Sequence, residues 1–139
     1  MIIPYVFFYG NCREAMEFYQ KCLGGELKVM TYGDAQGDAC PKGAKDRVIH
    51  ADLRRGDMVL LASDTPGTPD HAVKIGSNVQ LSINCVSMNE IQSMFKALSE
   101  KGKVKTPLQD MFWGAHFGML EDKYGFHWML NFEKSAHAK

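Results

Sequence analysis

One order of elements occurs twice along this chain, and it constrains the fold more than any single motif does. Strand, helix, strand, strand, strand runs through the first half and returns after a turn-rich linker, roughly 75 residues further on. The dense β-branched and aromatic run IIPYVFFY (2–9) reads as a strand stopped by Gly10-Asn11. Asn11 is placed to cap a helix, with Glu14 three residues on. Ala15, Phe18, Tyr19, Cys22 and Leu23 recur at helical spacing until Gly24-Gly25 ends it. Strands are expected at 26–32, 46–54 and 58–63, with a polar loop over 33–45 and a turn at Arg55-Gly56-Asp57. SDTPGTPDH (63–71) has turn and linker chemistry.

In the second half, residues 78–86 alternate as a strand. Ser87 to Lys101 form a helix, with Ser87 and Glu90 in S-x-x-E spacing and Ile91, Met94, Phe95 and Leu98 as its apolar stripe. Gly102 stops it. Strands are expected at 103–108, 115–121 and 126–132, the last two joined by a turn at Lys123-Tyr124-Gly125. The expected fold is therefore α+β: one domain over 1–139, made of two βαβββ modules (about 1–66 and 75–133) joined by a linker near 67–74. Two such units can keep their helices outside and curl mixed sheets around a shared cup.

A chain of 139 residues suits one domain. Sixteen basic residues balance sixteen acidic ones, so no overall field draws in nucleic acid or an anionic membrane, and neither partner is expected. Lys101, Lys103 and Lys105 cluster after a helix, either as a local basic patch or, the plainer reading, as a solvated helix end where cations suit the C-terminus. The cysteines Cys12, Cys22, Cys40 and Cys85 contain no C-x-x-C pair, which argues against a zinc ribbon or a thioredoxin-like motif. No apolar run approaches the length of a bilayer span, and the start reads as a strand and not as a signal peptide. A reducing cytoplasm is the expected compartment.

Four stretches carry a family likeness: FFYGNCREAMEFYQKCLGGEL (7–27), RVIHADLRRGD (47–57), LLASD (60–64) and DMFWGAHFGMLEDKYGFHWMLN (110–131). With the βαβββ order, they resemble the glyoxalase/bleomycin-resistance/dioxygenase (vicinal-oxygen-chelate) superfamily, and within it the PhnB-like branch, sometimes labelled demethylubiquinone methyltransferase. The resemblance implies a homodimer and a small-molecule ligand. It also implies a divalent cation in metalloenzyme members, held by His or Glu on the first and last strands of each module. Carried over singly, those positions fall on Pro4, Leu60, Gln80 and Met129. They supply one neutral amide oxygen and one thioether, which is not a donor set for a hard cation. No metal and no cofactor are therefore expected. A relocated metal site would draw on His50, Asp52 and His116; a hydrogen-bonded polar role for His50 is the plainer reading. His71, His127 and His137 complete the histidines.

The run 79–85 alternates cleanly. Val79, Leu81, Ile83 and Cys85 suit a helix, and Gln80, Ser82 and Asn84 point the other way, into the expected cup. The same parity gives Pro4, Val6 and Phe8 as an opposing apolar wall, extended by Leu60 and Met129. Trp113 in Phe112-Trp113-Gly114 either stacks on a planar ligand or packs at the core's end, and Trp128 belongs to the core. The expected ligand-binding residues are Phe8, His50, Gln80, Asn84, Trp113 and Met129. The leading function is metal-free small-molecule binding, as a sequestering or resistance-type module. The alternatives are a lyase, dioxygenase or isomerase with relocated ligands, acid–base chemistry centred on His50, and the methyltransferase of the family label. The last needs a glycine-rich cofactor turn that Gly10-Asn11-Cys12 and Val86-Ser87-Met88 do not provide.

Overall fold

The computed structural model describes residues 1–68 and 72–134, so the end of the 63–71 segment, with His71, and His137 lie outside the described residues. The chain divides into two compact units, Met1–Lys74 and Ile75–Lys139. Each holds a four-stranded mixed sheet, and the α+β expectation is borne out.

In the first unit the order is β1 (Tyr5–Phe8), α1 (Cys12–Leu23), β2 (Glu26–Thr31), α2 (Tyr32–Gln36), β3 (Val48–Arg55) and β4 (Met58–Asp64). The strands lie in the order β1-β4-β3-β2, with β1 parallel to β4 and the other pairs antiparallel. α1 buries Ala15, Met16, Phe18, Tyr19, Cys22 and Leu23. The near face of the sheet, toward α1, answers with Ala51, Leu53, Leu60 and Ala62, all at most 4% exposed. Interdigitated apolar burial of this kind is what makes a βαβββ unit stable.

Asp64 ends β4 and joins three parts of this unit. Its Oδ1 accepts hydrogen bonds from the Gly10 and Cys12 N–H groups at 2.8 and 3.0 Å, and its Oδ2 accepts from Val48 N–H at 2.8 Å. The α1 N-terminus is thus satisfied by a carboxylate from a distant strand, and the Asn11 side chain makes no capping bond. Burial, with Asp64 close by, pushes the Cys12 thiol up to about 12. The expected polar loop after β2 contains α2, held by a reciprocal cap in which Thr31 Oγ1 accepts from Asp34 N–H and Asp34 Oδ2 accepts from Thr31 N–H, each at 3.0 Å.

The second unit repeats the plan: β5 (Leu81–Asn84), α3 (Met88–Leu98), β6 (Lys103–Asp110), β7 (Ala115–Glu121) and β8 (His127–Glu133), in the sheet order β5-β8-β7-β6. Ser87 caps α3 by accepting from Glu90 N–H at 3.0 Å, and Glu90 reaches back to Val86 N–H. The helix ends at Leu98 and not at Lys101, because Ser99 Oγ donates to Phe95 C=O at 2.6 Å and Lys101 turns to φ 58°. The near face carries Leu120, Trp128 and Leu130, each at most 3% exposed.

Candidate functional site

Strand register assigns the site residues that lie on strands to a face of their own sheet. In the second sheet, Ser82 pairs with Met129 and Asn84 with Asn131 across β5 and β8. Met119 pairs with Met129, Phe117 with Asn131, and Glu121 with His127 across β7 and β8. Thr106 and Gln109 of β6 pair with Met119 and Phe117. Paired residues share a face, so the far face, away from α3, carries three rows. The first is polar: His127, Glu121 and, continuing the Leu81–Trp128 register one step, Gln80. The second is Ser82, Met129, Met119 and Thr106. The third is Asn84, Asn131, Phe117 and Gln109, and at its end Trp113 stands edge-on to Phe117 at 6.1 Å.

Four of the expected ligand-binding residues therefore lie on or beside one face: Gln80, Asn84, Met129 and Trp113. Gln80 carries the strongest local signal. Among the described residues its Oε1 is buried and no hydrogen-bond donor reaches it. A buried acceptor left without a partner costs roughly 1–3 kcal/mol, so this atom is poised for a donor from elsewhere. Phe112, beside Trp113, is 96% exposed and Trp113 is 50% exposed.

The first sheet corrects part of the expected lining. Tyr5 pairs with Leu61, Val6 with Ala62, Phe7 with Ser63, and Phe8 with Asp64. Because Asp64 and Ala62 face α1, Phe8 and Val6 face it too, and Phe8 is 4% exposed. Tyr5, Phe7 and Leu61 lie on the far face instead. Leu60 likewise pairs with Leu53 in the helix-facing core. Leu61, on the far face beside it, pairs with Tyr5 and Asp52 and also lacks a donor atom.

His50 lies on the far face of the first sheet. Its Nδ1 is 3.1 Å from the Tyr5 hydroxyl, and the two rings are 5.8 Å apart. Asp52 is engaged by Arg54 Nε at 2.8 Å. His116 pairs with Phe132 on the near face of the second sheet, with its Nδ1 2.9 Å from Asp110 Oδ1. Hydrogen bonds from Lys134 and His116 hold the Asp110 carboxyl below the usual carboxylate range. Among the described residues no group of three or more His, Cys, Asp or Glu side chains could hold a metal. His116 lies on the near face of the second sheet, whereas His50 and Asp52 lie on the far face of the first, and Pro4, Leu60, Gln80 and Met129 do not supply a donor set for a hard cation.

His127, Glu121, Lys105, Phe117, Met119 and Asn131 lie on or beside this face as well, though none was expected as a ligand-binding residue. His127 is 5% exposed, with Lys105 Nζ 2.8 Å from its Nδ1 and Glu121 Oε1 3.7 Å from its Nε2. The alternation in HWMLNFE (127–133) carried a signal, since His127, Met129 and Asn131 share a parity.

A model of the Glyoxalase/Bleomycin resistance protein/Dioxygenase superfamily matches residues 2–130. The chain belongs to that superfamily. Protein YjdN of Escherichia coli (strain K12) is 31% identical over 141 residues, covering 94% of each chain. The crystal structure of protein PA1353 from Pseudomonas aeruginosa is similar at 40% identity and a TM-score of 0.83, covering 96% of this chain and 97% of that one. A Bacillus cereus structure described as a putative 3-demethylubiquinone-9 3-methyltransferase, PhnB protein, is 27% identical with a TM-score of 0.76, covering 94% of this chain and 98% of that one. The PhnB-like resemblance of the motif stretches is thereby borne out. No described helix is long and apolar enough to cross a membrane.

Proposed function

We propose that this superfamily member binds a small molecule without a divalent metal, on the far faces of its sheets, as a sequestering or resistance-type module. The observation that carries this reading is the far face of the second sheet. There an apolar Met119–Met129 pair lies between a polar row and an amide–aromatic row, and the buried Gln80 oxygen waits for a donor. An apolar surface with a few convergent polar groups suits an amphipathic ligand. At the positions where metalloenzyme relatives place their ligands, the side chains offer no anionic or imidazole donor. A compound screen by thermal shift, run in excess chelator, tests the proposal. Hits should raise the melting temperature equally with and without chelator. Hits that vanish with chelator, or about one tightly held metal per chain surviving dialysis, would overturn it.

A second reading, acid–base chemistry, is favoured by the Tyr5–His50 hydrogen bond. An imidazole can both give and take a proton, and His50 lies on the far face of the first sheet with Tyr5 beside it. In the binding reading with a ligand-contacting His50, His50→Gln abolishes pH-dependent binding and leaves folding nearly intact. If His50 only ties β3 to β1, the same change lowers thermal stability and leaves binding unchanged at equal folded fraction. A methyltransferase reading rests on the description of the Bacillus cereus relative alone.

The working form proposed is a cytoplasmic homodimer. Tyr5, Phe7, Tyr9, Phe112 and Trp113 are all at least 40% exposed, a large aromatic area for a lone chain to show to water. All four cysteines are free thiols, which suits a reducing compartment. Sedimentation at micromolar concentration should give a species of two chains, and a strict monomer would remove the dimer from the proposal.

A further inference from the structure

The polar row of the second sheet contains a contact that small-molecule binding in general does not explain. Lys105 Nζ lies 2.8 Å from His127 Nδ1. An ammonium only donates, so Nδ1 is the acceptor and the proton of the neutral ring sits on Nε2. The buried imidazole thus holds the lysine ammonium in one place while using one of its three N–H groups. Glu121 does not neutralise that ammonium closely: its Oε1 is 4.0 Å from Nζ, with both side chains partly in solvent, and such pairs contribute little. Lys103 stands opposite the same Glu121 in the β6–β7 register, so this row holds two lysines and one carboxylate. The row therefore carries excess positive charge, anchored at Lys105, whose side chain is 40% exposed.

We infer that Lys105, positioned by His127, recognises the anionic head of an amphipathic ligand, a carboxylate or a phosphate, whose apolar body lies along Met119 and Met129. The register supports this direction, since Glu121 and His127 lie two residues from Met119 and Met129 on the same face. At the opposite edge the unpartnered Gln80 carbonyl oxygen repels an anion, which leaves the head on the β6–β7 side. Lys105 is the ligand-contacting residue and His127 a positioning residue. The inference rests on the far-face binding reading and adds the charge of its ligand.

The test uses matched probes, octanoate and 1-octanol, titrated into the isotope-labelled full chain and followed by NMR at the Met119 and Met129 methyl groups. A charge-assisted hydrogen bond predicts octanoate tighter by about tenfold or more. Lys105→Gln should erase that preference, bringing the octanoate affinity down to that of octanol. His127→Leu should weaken the preference, and His127→Asn, which keeps an acceptor toward Lys105, should restore it; a purely packing role for His127 would show no such rescue. Inorganic phosphate, with no apolar body, should shift Lys105 and not the methionine methyls. If both probes bind with equal affinity, or if Lys105→Gln keeps the preference, the anionic-head inference is wrong and the binding face survives. If neither probe perturbs Met119 or Met129, the far-face reading itself is wrong.

Discussion

Asp64→Ala is expected to destabilise the protein by about 3 kcal/mol or more. The carboxylate is 2% exposed and accepts from three backbone N–H groups, of which those of Cys12 and Val48 are buried. Alanine leaves these donors without a partner, and each buried orphan costs roughly 1–3 kcal/mol. Against a total stability of about 5–15 kcal/mol, that loss is large. Asp64→Asn keeps one acceptor oxygen but turns an amide NH2 toward the remaining donor, so an intermediate loss is expected. Urea denaturation measures both: the midpoint should fall in the order wild type, Asp64→Asn, Asp64→Ala. Equal midpoints for wild type and Asp64→Ala would show that water replaces the carboxylate, and that Asp64 does not hold α1 to the sheet.

The same residue explains where the sequence could be read and where it could not. In β5, apolar Leu81 and Ile83 alternate with polar Gln80, Ser82 and Asn84, and a strand with two chemically different faces declares its own parity. The run IIPYVFFY has no such contrast, since either parity buries aromatics and aliphatics. Its orientation is decided by a partner: Asp64 must face the α1 N-terminus, and Phe8, beside it in the parallel pair, follows. That is why Phe8 and Leu60 leave the expected lining and Tyr5, Phe7 and Leu61 enter it. Helix ends divide the same way. The Ser87–Glu90 and Thr31–Asp34 caps are local and their spacing is visible in the chain, although α2 lies in a segment that composition alone reads as loop. The cap on α1 comes from a residue more than fifty positions away, so no local pattern announces it. The polar row was hidden for a related reason. Lys105, Glu121 and His127 lie on three strands, and only the β6–β7–β8 register brings them together.

Trp128→Ala is expected to cost about 3–5 kcal/mol, the usual range for emptying a buried tryptophan site. Trp128 is 3% exposed on the near face, paired with Leu120 and Leu81, and its Nε1–H donates to Asp122 Oδ2 at 2.8 Å. Asp122, itself 2% exposed, closes the turn between β7 and β8 by accepting from Tyr124 and Phe126 N–H at its Oδ1. The indole therefore links the packed core to the hairpin that sets the register of His127 and Met129. Trp128→Phe loses less volume but takes the donor from a buried carboxylate oxygen, so it should cost more than its small change in size suggests. Because the two side chains share one bond, the losses in Trp128→Phe and Asp122→Ala should be less than additive in the double variant; strict additivity would mean that the bond contributes nothing. Met129 follows Trp128 on the opposite face, which separates stability from function. In Trp128→Phe the register of β7 against β8 is kept, so ligand binding compared at equal folded fraction should match wild type, while Met129→Lys should remove binding of an apolar body and leave the denaturation midpoint nearly unchanged. Loss of binding in Trp128→Phe at equal folded fraction would instead show that the far face depends on the indole as well as on its own side chains.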